Sequence, residues 1–236
     1  MGASLPVLRP VGRGSEAKLV RAQSALAAAR PPAWEGEARA TAIGAVAVCF
    51  PRGATGPGAA GDPAWAAAVV MRKRRTLAEA VVTGTAGAPY RPGLLALREG
   101  AVLEAAVRAL AVAPDILLVD ATGRDHPRRA GLALTLGAAL DLPTVGVTHR
   151  PLLADGDWPG PEKGETAPLL LDGEEVGAWL RRRAGARPLA VHPAWRTSTA
   201  VAVAIVRDAA GTHRTPEPLR RARRLARLAR AGTSVS

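Results

Sequence analysis

The sequence predicts an α/β fold, a mixed sheet of an antiparallel meander plus parallel strands, flanked by helices. Three observations predict it. Three apolar runs follow one another early in the chain with only short turns or loops between them, the mark of an antiparallel meander. Later apolar runs of four to six residues alternate with helix-length amphipathic stretches, which places parallel pairing beside the meander. Hydrophobic residues make up 48% of 236 residues, enough for a sizeable core, while aromatics are only 3%, so Ala, Val and Leu must fill it.

Each element follows from its residues. Met1–Gly14 lacks periodicity and reads as a loose arm. Ser15–Arg30 reads as a helix capped by Ser15, with Glu16 in its first turn and Pro31-Pro32 as its stop. Thr41–Phe50 carries no charge and reads as a buried strand. Pro51–Pro63 is a Gly/Pro/Ala loop. Trp65–Arg72 and Thr76–Thr83 are strands about the basic turn Lys73–Arg75, and Gly84–Pro92 is a second loop. Gly93–Ala113 has a helical apolar face and ends at Pro114. Asp115–Asp120 (DILLVD) is a short strand between carboxylates. Pro127–Leu140 reads as a helix begun by its proline, and Thr144–Thr148 as a strand. Pro168–Leu180 and Pro188–His192 are strand candidates. Thr197–Ala209 has the length of a helix, and Pro218–Arg230 is an Arg-rich amphipathic helix with Leu219, Ala222, Leu225, Ala226 and Ala229 on one side. The order of strands and helices is ribonuclease H-like. The expected division is an arm at 1–14, a domain at 15–213 and an Arg-rich helix and tail at 214–236.

Composition narrows the function. No uninterrupted apolar stretch has the length of a membrane span, and Met1–Arg13 has no apolar signal core, so a cytoplasmic protein is expected. The single cysteine, Cys49, excludes an internal disulfide and any zinc site with two sulfurs. Lys+Arg outnumber Asp+Glu by 32 to 20, a net charge of +12. Arginine in place of lysine follows from a GC-rich coding bias, but the surplus itself points to a polyanion, and nucleic acid is the commonest. Arg214–Arg230 holds seven arginines and one acid, Glu217. That segment either lies on phosphate or packs as a helix with solvated arginines.

Five places carry candidate chemistry. Asp120 ends a buried strand, where α/β sheets gather ligands, and is a metal-ligand candidate or a capping residue. Glu99 lies on the helix after the PYRPG loop and is a second carboxylate or a solvated helix charge. His126, Arg128 and Arg129 form a basic cluster at the expected start of a helix, where the dipole disfavours cations and a phosphate would offset that cost. Tyr90, the only tyrosine, sits in a stiff Pro-rich loop and is a base wedge or a surface anchor. Asp62 in the Gly/Pro loop is a carboxylate that a swing of the loop would bring to the sheet.

PYRPGLLALRE (Pro89–Glu99), ILLVDATGRDHPRRAGLA (Ile116–Ala133), LPTVGVT (Leu142–Thr148) and RTPEP (Arg214–Pro218) resemble the endonuclease V family in order and spacing, over about Ser15–Ala222. The resemblance implies a ribonuclease H-like core and cleavage of one phosphodiester 3′ of deoxyinosine in DNA, or inosine in RNA, with Mg²⁺ or Mn²⁺. It implies metal binding by Asp120 and Glu99, catalysis by Glu99 and Asp120, strand separation by Tyr90 and a place for His126 near the lesion pocket. Arg98, Arg128 and Arg129 are expected to bind the nucleic acid. The chain also departs from the family pattern. Ala47 stands where the first strand ends in a metal-binding Asp, and Ala121-Thr122-Gly123 replaces Gly-His-Gly. His149 replaces a lysine, as a catalytic donor charged only in part at neutral pH, and Trp195 replaces a histidine. One carboxylate holds Mg²⁺ poorly. The expected protein is therefore an endonuclease V-like DNA or RNA binder of the DNA repair lineage with impaired cleavage. The alternatives are an active enzyme with a rearranged site and a non-enzymatic protein whose Arg-rich tail docks an acidic partner.

Overall fold

The computed structural model describes residues 12–36 and 41–232, and the first eleven residues of the expected arm lie outside it. Five helices surround one eight-stranded sheet among the described residues. In chain order the elements are α1 (Gly12–Ala28), β1 (Ile43–Cys49), β2 (Pro63–Arg72), β3 (Arg75–Thr85), α2 (Leu95–Arg108), β4 (Ile116–Val119), α3 (Leu132–Leu140), β5 (Thr144–Thr148), β6 (Thr166–Leu171), β7 (Glu174–Leu180), β8 (Leu189–Pro193), α4 (Thr199–Asp208) and α5 (Glu217–Arg230). The strands lie in the order β3-β2-β1-β4-β5-β8-β7-β6. β1 runs antiparallel to β2 and parallel to β4, and β4 is parallel to β5. The mixed sheet read from the sequence is thus observed.

Charge-free β1 lies between β2 and β4, with Ile43–Ala47 buried on both faces. On one face Val46, Leu117 and Val119 meet α2 and α3; on the other Ala45, Ala47, Ile116 and Leu118 meet α4 and α5. Ala66, Ala67 and Ala68 of β2 are fully buried, and such small side chains let helices approach closely. α5 packs Leu219, Ala222, Leu225 and Ala226 into the same cluster as α4, so the Arg-rich helix Glu217–Arg230 is seated on the sheet. No helix is long and apolar enough to cross a membrane.

Four local readings change. α1 begins at Gly12, so Ser15 is inside the helix and not its cap. Pro168–Leu180 is a hairpin: Asp172 and Gly173 both take positive φ (53° and 79°) between β6 and β7, as a tight primed turn requires. The helix read from Pro127 starts only at Leu132, because Arg129 is left-handed (φ 51°) and donates its amide to the His126 carbonyl at 2.8 Å. Arg128 and Arg129 therefore sit in a loop, and the helix-dipole argument for a phosphate beside them falls. Finally, α2 starts at Leu95, two residues after Gly93 turns at φ 74°.

Candidate nucleic-acid site

β4 delivers Asp120 to the carboxyl end of the parallel strands. The chain then doubles back over β5, where Gly146 is required: a Cβ there would overlap the Ala121 carbonyl. The register pairs Val46 with Val119, so Ala47 and Asp120 are neighbours one step further along parallel strands. Ala47 is buried among apolar side chains and offers no oxygen. What faces Asp120 instead is Arg223 of α5, whose Nη2 and Nε donate to Oδ2 at 2.7 and 2.9 Å.

Glu99 reaches the same place from α2. It is half-buried, and burial first, then the charge of Asp120, pushes its carboxyl up to about 7. The two carboxylates are thus brought close enough to repel. His149, just past β5, is exposed; burial of part of its ring and the charges of Arg214 and Arg223 hold its pKa below the usual histidine range, against the pull of Asp120. It is largely neutral at pH 7.

A cavity of about 190 Å³ opens beside Asp120. Tyr90, Leu95, Asp120, His126, Thr148 and Leu152 line it. Tyr90 is exposed, and its amide anchors the loop by donating to the Pro57 carbonyl at 2.7 Å. His126 is buried and held in one tautomer: the Arg128 amide donates to Nδ1 at 3.1 Å, which leaves Nε2–H to donate to the Gly93 carbonyl at 3.1 Å. Burial lowers its pKa to about 4, so the ring is neutral at pH 7.

Three expected nucleic-acid contacts are used inside the protein. Arg98 is buried, pairs with Asp62 at 3.0 Å, donates to the Ala88 carbonyl at 2.9 Å and lies 4.2 Å over the Phe50 ring. The same pairing, with the Ala59 amide on Oδ2 at 2.7 Å, ties Asp62 into its own loop. Arg128 bridges Gln23 Oε1 (2.7 Å) and the Gly93 carbonyl (2.6 Å), joining α1 to the loop before α2. Arg129 reaches the Leu171 carbonyl and Asp172 at the β6–β7 hairpin. Trp195 does not join Asp120 either. Its carbonyl accepts from Thr144 at the start of β5, at the far end of the strand from His149.

Two residues decisive for the site were not singled out in the sequence. Arg223 is 103 positions from Asp120 and looks like every other arginine of α5. Asp125 is fully buried and accepts the amides of Leu152, Leu153 and Ala154 at 2.6, 2.8 and 2.9 Å, which fixes the loop that brings Leu152 to the cavity. The signal available for it was only a carboxylate inside the RDHPRR motif.

α5 also walls a groove of about 720 Å³, lined by Arg183, Arg214, Arg220, Arg221, Arg223, Arg224 and Arg227 and by two acids, Glu79 and Glu217. Arg221 pairs with Glu79 and Arg220 with Glu217, whereas Arg183, Arg224 and Arg227 are exposed and make no side-chain hydrogen bond or ion pair with the described residues.

The Endonuclease V family model matches residues 35–224, which take in the sheet, Arg223 and all of the cavity lining except Gln23. The chain belongs to the Endonuclease V family. Endonuclease V of Streptomyces coelicolor is 41% identical over 167 residues, covering 70% of this chain and 72% of that protein. The crystal structure of Endonuclease V from Streptomyces avermitilis superposes with a TM-score of 0.83 at 32% identity, covering 97% of each chain. Endonuclease V of Ciona intestinalis, solved in complex with a DNA that contains an inosine, shares the fold at a TM-score of 0.76 and 18% identity, covering 93% of this chain and 99% of that one.

A divalent ion is expected of an Endonuclease V, and the donors here fit one badly. No cluster of three His, Cys, Asp or Glu residues able to hold a metal occurs among the described residues. Asp120 has one oxygen in a two-point contact with a guanidinium, and its strand neighbour is Ala47.

Proposed function

We propose that the protein is a cytoplasmic Endonuclease V-lineage nucleic-acid binder that engages an inosine-containing strand and cleaves it poorly. The observation that carries this reading is the pairing of Asp120 with Arg223 beside Ala47. Hydrolysis of a phosphodiester by a metal needs the ion fixed between substrate oxygen and water, and that geometry requires more oxygen donors than this end of the sheet presents. Binding keeps its parts. A cavity with Tyr90 at its side and Leu95, Leu152 and the neutral ring of His126 in its wall suits an extruded base, which is held by stacking between aromatic and apolar side chains. The arginine groove beyond Asp120 suits the phosphates on the same strand.

The deciding experiment incubates the purified protein with an inosine-containing duplex and Mn²⁺. The expected result is no nicking at rates typical of enzymes. Efficient single-strand nicking that Asp120→Ala abolishes would overturn it and establish the active enzyme, a reading favoured by the closeness of Glu99 to Asp120.

Binding should weaken steeply with salt through counterion release. Replacing Arg183, Arg224 and Arg227 with glutamine should reduce the slope of log K against log salt by about 2. An unchanged slope places the strand elsewhere; salt-insensitive or absent binding favours an acidic protein partner for α5.

A further inference from the structure

Arg223 stands at the junction of two spaces. Its guanidinium donates twice to Oδ2 of Asp120, which lines the small cavity, and the same side chain lines the arginine groove. The contact is not an accident of a loose surface arginine. α5 is seated by Leu219, Ala222, Leu225 and Ala226 against β1 and β2, and Arg223 is only one-fifth exposed. The small residues beneath the helix set its height: Ala47 and Ala67 are buried in the cluster on which it rests.

A carboxylate at Ala47 would add a second negative charge beside Asp120 and call for a small, doubly charged ion between them. With alanine there, Asp120 is the one carboxylate on this face of the two parallel strands, Glu99 approaching from α2 with its pKa raised to about 7, and one guanidinium balances Asp120. Nε and Nη2 are taken by Asp120, while Nη1 finds no partner among the described residues. A guanidinium is planar, always charged, and binds phosphate through such free N–H groups. Its neighbours favour an anion too: Arg214 lines the same groove, and its buried Nε has no hydrogen-bond partner.

We infer that Arg223 is a cation built into the chain at Asp120, where it takes the charge-balancing role of a divalent ion and holds a phosphodiester oxygen of the bound strand without metal. The inference rests on the nucleic-acid reading above for its ligand and stands independently of it for its metal. It assigns Arg223 to binding and gives it no part in bond cleavage. The neighbouring phosphates of the strand then pass into the arginine groove.

Two measurements on the full chain test it. Electron paramagnetic resonance follows Mn²⁺ added to the protein alone, and fluorescence anisotropy follows an inosine-containing single strand in EDTA and in Mg²⁺ at matched ionic strength. The expected results are no Mn²⁺ held by the wild-type protein, strand affinity no tighter in Mg²⁺ than in EDTA, and about tenfold weaker binding in Arg223→Gln, the scale of one charge-assisted contact. Circular dichroism of the variant separates a lost contact from a lost fold.

Mn²⁺ bound by the wild type and released in Asp120→Ala overturns the inference, as does affinity that rises severalfold with Mg²⁺. A folded Arg223→Gln protein that binds the strand as tightly as wild type, or more tightly, makes the arginine a plug and overturns it as well. A protein that binds no strand in either buffer defeats the nucleic-acid reading and the phosphodiester half of the inference; the metal half is then decided by the Mn²⁺ titration alone.

Discussion

Asp125→Ala is expected to lower the unfolding free energy by about 3–5 kcal/mol. The buried carboxylate accepts three consecutive backbone amides, from Leu152, Leu153 and Ala154. Removing it leaves three donors unmet, that of Ala154 buried and those of Leu152 and Leu153 partly buried, each at up to about 1–3 kcal/mol, offset in part by the desolvation that the charge no longer requires and by water entering the gap. The chain from Leu152 to Ala154 then loses its anchor, and Leu152 leaves the wall of the cavity. Strand affinity should fall together with stability. Denaturant unfolding checks the first effect and anisotropy the second. A loss under about 1 kcal/mol shows that solvent replaces the carboxylate freely and that the anchor role is wrong.

Glu99→Gln is expected to act in the opposite direction and only above acid pH. The Glu99 carboxyl sits at about 7 in the folded protein against an ordinary 4.5, raised by burial and then by Asp120. Between those values the folded state keeps a proton that the unfolded chain has released. Its proton uptake is the greater, so stability falls as pH rises from about 4.5 to 7 and is level above. Glutamine removes that loss. The variant should match wild type near pH 4 and be more stable by about 1–3 kcal/mol at pH 8. Urea denaturation at the two pH values checks it; a difference that does not change with pH contradicts the assignment.

Where the sequence was readable, the reason is local. Ile43–Cys49 announced itself because a strand in the middle of a sheet, flanked on both faces by helices, has no place for a charge. α5 announced its packed side because Leu219, Ala222, Leu225 and Ala226 recur at helical spacing. Of two departures from the expected elements, one is local and one is not. Asp172-Gly173 is a turn signal inside the strand candidate Pro168–Leu180, and Pro127 is a helix starter whose effect a left-handed Arg129 cancels two residues on. The positive φ at Arg129 goes with contacts to the β6–β7 hairpin, more than 40 residues away in the chain, and no rule about neighbours anticipates it.

The arginines teach the same point about the site. Charge and motif made Arg98, Arg128 and Arg129 equal candidates for phosphate, while Arg223 is one arginine of seven in Arg214–Arg230. Tertiary structure separates them by what else lies within reach. Arg98 finds Asp62 and the Phe50 ring, Arg128 finds Gln23 and a carbonyl, Arg129 finds a hairpin, and Arg223 finds Asp120.

The amino-acid order alone thus settled the layered architecture, the family and the absence of an acid in the first strand, because periodicity, motif spacing and the identity of a single residue are properties of adjacent positions. Only the folded chain decided which cation stands against the surviving aspartate and which basic side chains remain free for a ligand. Electrostatic pairing depends on distances of a few ångströms between residues a hundred positions apart, and those distances exist only once the helices are seated on the sheet.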